Sequence, residues 1–386
     1  MADLNRSIEF LRDLISFPSV SSDSNLDLIA FLGEVLGNRG ARTMISRDET
    51  GTKANLFATI GPDLPGGIML SGHTDVVPIA DQDWSTDPFE MVEGAGRLYG
   101  RGTCDMKGFI AAALALADSI DPARLKRPLH FAFTYDEEVG CIGARQLIDD
   151  LREHDIMPDI TIIGEPTEMR IIEGHKGCCE YTAHFTGLEG HGSAPDDGVN
   201  AAEYAVRYVG KLMELREELK SRAPGDSIFN PPWTTMNIGR ISGGVAHNVI
   251  AGKAEVEWEM RPVQDSDVDF VKIALAEYCD KHLLPAMRAV HDEAEIFVET
   301  IGEIAGLKPM PENAARDLVA ELTGRNATDL VAFGTEAGLF QTLGSDVVVC
   351  GPGSIAQAHR PDEFLEIEQM HQCCDMLTKL GGKLMA

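Results

Sequence analysis

The sequence predicts an α/β fold: an α/β domain with a largely parallel central sheet, interrupted by an inserted ferredoxin-like α+β domain. Three observations carry this. Over residues 1–177 short apolar strands alternate with helical segments, as in a layered fold whose sheet is buried on both faces. Near residue 178 the order becomes β-α-β-β-α-β, that of a two-layer ferredoxin-like unit. After about residue 300 the first pattern returns. The expected division is 1–177, an insertion over 178–300, and 301–386.

Each element has its own reason. "LNRSIEFLRDLISF" spaces apolar residues as a helix does, and Pro18 stops it. "LDLIAFLGEVLGNRG" reads as a second helix. "GIMLSGHTDVVP" is a strand running into a loop, "DMKGFIAAALALADSI" a helix, "LHFAFTYDEEVG" a strand, "GARQLIDDLREH" a helix and "DITIIGEP" a strand. In the insertion, "CCEYTAHFTG", "TTMNIGRIS", "KAEVEWEMRPV" and "EAEIFVET" read as strands. "NAAEYAVRYVGKLMELREELKS" and "DVDFVKIALAEYCDKHLL" are its helices, and "SRAPGDSIFNPPW" is a loop. A helix at "NAARDLVAELTG" and a strand at "SDVVVCG" complete the first domain.

Composition narrows the function classes. The chain has 33 Lys+Arg against 62 Asp+Glu, a formal charge of −29. That excess repels nucleic-acid phosphates and anionic membrane surfaces, so neither is an expected partner. No apolar run approaches the roughly 18 residues of a membrane span. "MADLNRSIEFLRD" lacks the apolar centre of a signal peptide, so the expected location is the cytoplasm. None of the eight cysteines forms a C-x-x-C pair, which argues for reduced, partly buried thiols rather than a thiolate zinc site.

Against this acidic background "HFAFTYDEEVGCIG" sets Asp136, Glu137 and Glu138 together at a strand end. Four segments share that design, an apolar strand whose far end delivers a metal-competent residue. They are "IMLSGHTD" with His73 and Asp75, "FAFTYDEE" with Glu137 and Glu138, "ITIIGE" with Glu165, and "VVVCGPGSIAQAHRPDEF" with His359. A fifth, "YGRGTCDMKG", puts Asp105 just before a helix. Alone, each is an ordinary loop or solvated turn. Ligands of open α/β sheets bind beyond the carboxyl ends of the strands, so together these residues can converge. Clustered carboxylates are tolerated where a cation compensates them, and two histidines with several carboxylates suit zinc or a pair of divalent metals.

The set "SGHTDVVP", "GRGTCDMKG", "DEEVG", "GEPT", "GHGSAP" and "AHRPDEF" closely resembles the M20 family of metallopeptidases and deacylases over essentially the whole chain. That resemblance implies a catalytic α/β domain with an inserted lid that also dimerises. It implies one or two zinc ions per subunit, with cobalt able to substitute. His73 and Glu165 then hold one metal, Glu138 and His359 the other, and Asp105 bridges them, with a cis peptide after it. Asp75 orients the His73 imidazole, and Glu137 is the general base that takes a proton from water and passes it to the leaving amine. His191, in "GLEGHGSAP", supports the oxyanion from across a homodimer, in a motif where Gly192 stands in place of the Ser of many relatives.

The same resemblance assigns substrate contacts. Asn248 and Arg261, in "GVAHNVIAGKAEVEWEMRP", face the substrate, with Arg261 clamping its carboxylate. "VAFGTEAGLF" supplies Thr335 and Glu336, the latter expected to attract a side-chain ammonium, and has Leu339 near where desuccinylases carry an arginine. These segments most resemble the acetylornithine deacetylase branch. The expected partner is therefore a small N-acyl amino acid, N-acetyl-L-ornithine, with succinyl-diaminopimelate or a dipeptide as the alternative and a non-catalytic metal-binding protein as a remote one.

Overall fold

The computed structural model describes residues 2–386 and divides into two compact units. The first comprises the chain up to His175, Leu307–Val331 and Thr335–Ala386; the second comprises Lys176–Gly306 and Ala332–Gly334.

The first unit is built on an eight-stranded sheet in the order Arg42–Arg47, Ala54–Ile60, Leu129–Thr134, Ile68–His73, Ile160–Pro166, Asp346–Gly351, Ile171–His175 and Thr328–Val331. The four strands from Leu129–Thr134 to Asp346–Gly351 are mutually parallel. They are the four that the sequence reading singled out by their polar ends. Their registers bring those ends side by side, with His73 opposite Thr134 and Pro166 opposite Gly351. Strands at both flanks run the other way: Ala54–Ile60 pairs antiparallel with Leu129–Thr134, and Ile171–His175 antiparallel with Asp346–Gly351.

The helix Gly108–Ser119 is apolar all round, and every residue from Gly108 to Ala117 is buried, as suits a helix enclosed by protein. It lies against the sheet and the helices Leu4–Ile15 and Ile367–Met385. Contact with the sheet is close enough that a Cβ on Gly164 would lie 1.9 Å from the Phe109 ring. Only glycine fits there, one residue before Glu165. Leu4–Ile15 starts on the Asp3 side chain, which accepts from the N–H groups of Asn5 and Arg6. Just beyond its other end, buried Lys107 donates to the carbonyls of Leu14 and Phe17, tying that helix to the segment that carries Asp105.

The second unit is a four-stranded antiparallel sheet ordered Thr235–Gly243, Lys253–Arg261, Cys178–Thr186 and Glu295–Ile304. The helices Ala201–Ser221 and Asp265–Tyr278 complete the β-α-β-β-α-β order. Their core joins Tyr181, Phe185, Tyr208, Leu212, Trp258 and Leu275. The last strand runs to Ile304, and the stretch of this unit that contains it extends to Gly306. All eight cysteines are buried. Among the described residues no helix is long and apolar enough to cross a membrane.

Candidate metal centre

The five residues read as ligands meet at the carboxyl ends of the parallel strands. Asp105 stands between two imidazoles. Its Oδ1 is 3.0 Å from His73 Nε2 and its Oδ2 is 3.4 Å from His359 Nε2. On the His73 side, Glu165 Oε1 lies 3.8 Å from Nε2; on the other, Glu138 Oε2 lies 3.0 Å from His359 Nε2. Two overlapping groups, His73–Asp105–Glu138 and His73–Glu137–Glu165, each bring one donor atom per residue within 4.8 Å of one another. The side chains of His73, Asp105, Glu138 and Glu165 are at most 8% exposed, whereas that of His359 is 52% exposed, so the centre opens on the His359 side. The peptide after Asp105 is cis.

Elementary electrostatics shows what this cluster lacks. Four carboxylates face two imidazoles. Burial and the surrounding negative charges push Glu137 and Glu165 well above the usual carboxylate range. Asp105 goes the other way. Burial raises it, but hydrogen bonds with His359 and His73 outweigh burial and hold it low. Burial lowers His73, yet its bond to Asp105 and the nearby carboxylates of Asp75 and Glu165 carry it well above an ordinary imidazole. Contacts with Asp105 and Glu138 raise His359 to about 10. Glu165 Oε1 is also buried without a hydrogen-bond partner, a costly state for a carboxylate oxygen. One change satisfies all of these groups: divalent cations in place of the imidazole protons, within reach of the orphaned oxygen. The donor set fits such ions.

The run Asp136, Glu137 and Glu138 divides its labour. Asp136, at a positive φ of 52°, turns away from the centre and pairs with Lys53, which also donates to the Ser21 carbonyl. Glu137 and Glu138 turn inward. Asp75 meets the His73 ring through its main chain. The His73 Nδ1–H donates to the Asp75 main-chain carbonyl at 2.9 Å, while the nearest carboxylate oxygen is 3.6 Å away, beyond hydrogen-bond length. That carboxylate instead accepts from Ser21 Oγ at 2.7 Å and from the main-chain N–H groups of Glu137 and Glu138 at 3.0 and 3.3 Å.

Comparison with known proteins agrees with this arrangement. A profile of "Peptidase family M20/M25/M40" matches residues 69–381. An acetylornithine deacetylase of Pasteurella multocida is 37% identical, covering 96% of both chains. One of Shigella sonnei is also 37% identical, covering 93% of this chain and 92% of the relative. The chain belongs to the M20 family. It is a metal-dependent amidohydrolase acting on a small-molecule substrate. Solved structures share the fold. An M20 metallo-carboxypeptidase of Sulfolobus solfataricus superposes with a TM-score of 0.77 at 17% identity, covering 98% of this chain and 99% of that one. A Staphylococcus aureus tripeptidase does so with 0.73 at 20% identity, covering 99% of each.

The remaining site candidates of this M20 chain fall in two places. His191, Asn248 and Arg261 belong to the second unit. A short ribbon pairs Gly190–His191 with Val249–Ile250, and Gly192 N–H donates to the Asn248 carbonyl at 2.8 Å, so exposed His191 and Asn248 are neighbours. A Cβ on Gly192 would lie 3.0 Å from the Asn248 backbone, so the ribbon is tight at this point. Arg261, the last residue of its strand, pairs with Glu259 at 2.6 Å.

Thr335 and Glu336 belong to the first unit, and the structure corrects their expected substrate contact. Both are 0% exposed. The Thr335 hydroxyl lies 3.0 Å from His175 Nε2. Glu336 accepts from Ser71 Oγ at 2.5 Å and Thr134 Oγ1 at 2.8 Å. With both oxygens bonded beneath the strand ends, Glu336 offers nothing to a substrate ammonium. Sequence reading also passed over Arg101 and Glu363, although both lie inside the recognised motifs "GRGTCDMKG" and "AHRPDEF". A charged residue kept beside a ligand was the available signal.

Proposed function

We propose that this protein hydrolyses the amide of N-acetyl-L-ornithine to acetate and L-ornithine, a step of arginine biosynthesis, using zinc. The observation that carries hydrolysis is Asp105 between His73 and His359 with Glu137 beside them. Substrate choice is supported by the 37% identity to two acetylornithine deacetylases over nearly the whole chain.

In this reading His73 and Glu165 would hold one zinc and Glu138 and His359 the other, with Asp105 serving both. When bound, the metals supply Lewis acidity, lowering the pKa of water and polarising the scissile carbonyl. Glu137 takes a proton from the attacking water and hands it to the departing amine. Asp75 fixes the main chain of Glu137 and the tautomer of His73. Arg261 holds the substrate carboxylate, exchanging its contact with Glu259, and Asn248 faces the substrate from the ribbon that carries His191. His191 supports the oxyanion, and the second unit serves as lid and as the contact of a homodimer. The exposed Phe297, Val298 and Ile301 on the edge strand Glu295–Ile304 support that contact, because an uncovered apolar edge invites a partner. A panel of acetyl-ornithine, succinyl-diaminopimelate and dipeptides offered to the zinc-loaded enzyme tests the reading. The expected result is highest kcat/KM on acetyl-ornithine, and preference for succinyl-diaminopimelate would overturn it.

A further inference from the structure

Arg101 and Glu363 form an ion pair at 2.7 Å with both side chains 1% exposed. Burying two charges is costly unless every lone pair and proton finds a partner. Here most of the surplus capacity is spent on main chain, Arg101 Nε alone of this pair being left without a hydrogen-bond partner. Glu363 Oε1 accepts from the N–H groups of Gly102, Cys104 and Asp105 at 3.1, 2.9 and 3.1 Å. The Glu363 main-chain carbonyl accepts from Gly100 N–H at 3.0 Å. On the other side, Arg101 Nη2 donates to Gln82 Oε1 at 2.6 Å, and Gln82 Nε2 donates to the carbonyl of His359 at 3.0 Å. Arg101 Nη1 also reaches the Arg360 carbonyl at 3.4 Å. One connected set therefore grips the main chain at Asp105 and at His359, residues from opposite ends of the sequence that face each other across the centre.

We infer that the Arg101–Glu363 pair, extended by Gln82, is a positioning device that sets the separation of Asp105 and His359 and thereby the affinity for metal. Neither residue touches metal or substrate. The inference rests on the reading of Asp105 and His359 as ligands. Cutting the Gln82 link frees only the His359 side, whereas altering Glu363 disturbs the Asp105 loop, which serves both sides. Changing partners of this kind typically costs 10–100-fold in metal affinity.

The test is zinc binding to the metal-free full-length chain, measured by competition with a chromophoric chelator. His359→Ala first identifies the zinc equivalent that depends on His359. Gln82→Ala is expected to weaken that equivalent about 10–100-fold while any other keeps wild-type affinity. Glu363→Gln is expected to weaken all bound zinc. If Glu363→Gln fails to fold, Gln82→Ala, which leaves the buried ion pair intact, decides alone. The unfolding temperature of each metal-free variant is recorded alongside. A merely structural role would lower it without selective loss of one zinc, and that result overturns the inference. Wild-type zinc affinity in both variants, with His359→Ala impaired, also overturns it. Wild-type affinity in His359→Ala itself instead refutes the ligand reading.

Discussion

Asp75 Oδ1 accepts the main-chain N–H of Glu137 at 3.0 Å, while the Asp75 carbonyl takes the Nδ1–H of His73 at 2.9 Å. One residue thus holds the imidazole through its backbone and the proposed base through its side chain. Asp75→Ala should keep the His73 contact and lose the grip on Glu137, each lost charge-assisted bond costing about 1.5–3 kcal/mol. At saturating zinc, kcat should fall roughly 10–100-fold. Asp75→Asn, whose amide oxygen still accepts from Glu137, should lose less. Equal losses in steady-state kinetics of the two variants would show that geometry at Glu137 is not what Asp75 provides.

Glu137 and Glu138 are adjacent yet differ in surroundings. Glu138 lies 3.0 Å from His359 Nε2, whereas Glu137 shares its group with His73 and Glu165. Glu137→Ala should retain zinc and lose roughly 10²–10⁴-fold in turnover, the usual worth of general acid–base catalysis. Glu138→Ala should lose zinc affinity instead. Zinc content by atomic absorption beside kcat separates the two, and near-normal turnover in Glu137→Ala would remove it as the base.

Metal binding should be pH-dependent with a defined sign. Without metal, His359 is raised to about 10 and His73 well above its ordinary value, so both imidazoles are protonated near neutrality. Zinc takes neutral imidazole, so loading expels these protons, and affinity should rise with pH across the neutral range and level off for His359 above about 10. Glu137 and Glu165, also raised, add to the release. Calorimetry near neutral pH in buffers of different ionisation heat should report more than one proton released per chain. Zero release would contradict the charge balance drawn for the centre.

The edge strand Glu295–Ile304 carries exposed Phe297, followed by exposed Val298. If it forms the proposed homodimer contact, Phe297→Asp should shift the sedimentation coefficient from dimer toward monomer and reduce activity with it, since His191 would lose its partner site. A fully active wild-type monomer at working concentration would refute both the dimer and the role of His191.

What was legible in the sequence follows from physics that is local. Four apolar runs ending in polar residues are both the signature of buried parallel strands and the delivery of four of the five ligands, so all of the centre but Asp105 could be read from strand ends. The flanking strands were harder. Arg42–Arg47 has no buried residue and hence no apolar run to announce it, and Ile171–His175 is short. Roles set by contacts distant in sequence were not legible at all. Ser71 and Thr134 stand 265 and 202 positions from Glu336, so nothing near "GTEAG" reveals that its carboxylate is consumed inside. The three N–H groups on Glu363 come from residues about as remote, at least 258 positions away.

Glu336 gives the sharpest contrast between the two levels of reading. Its oxygens accept from Ser71, two residues before His73, and from Thr134, which ends the strand leading to Glu137. His73 and Thr134 are partners in the parallel register, so one carboxylate fastens two neighbouring strands beneath the centre. Burial raises the Glu336 carboxyl, and the two hydroxyl bonds offset part of that rise. Glu336→Ala strands the Thr134 hydroxyl and leaves Ser71 only its longer bond to the Ala132 carbonyl at 3.3 Å; a buried group left unpaired costs about 1–3 kcal/mol, so the unfolding temperature should fall measurably. Glu336→Gln keeps one acceptor and should cost less. Because the residue acts on the frame and not on the substrate, either variant should reduce turnover of acetyl-ornithine and acetyl-methionine by the same factor. Measuring kcat/KM for both substrates decides the matter. A selective loss on acetyl-ornithine would mean that the substrate ammonium does reach Glu336, and that its hydroxyl bonds give way when substrate binds.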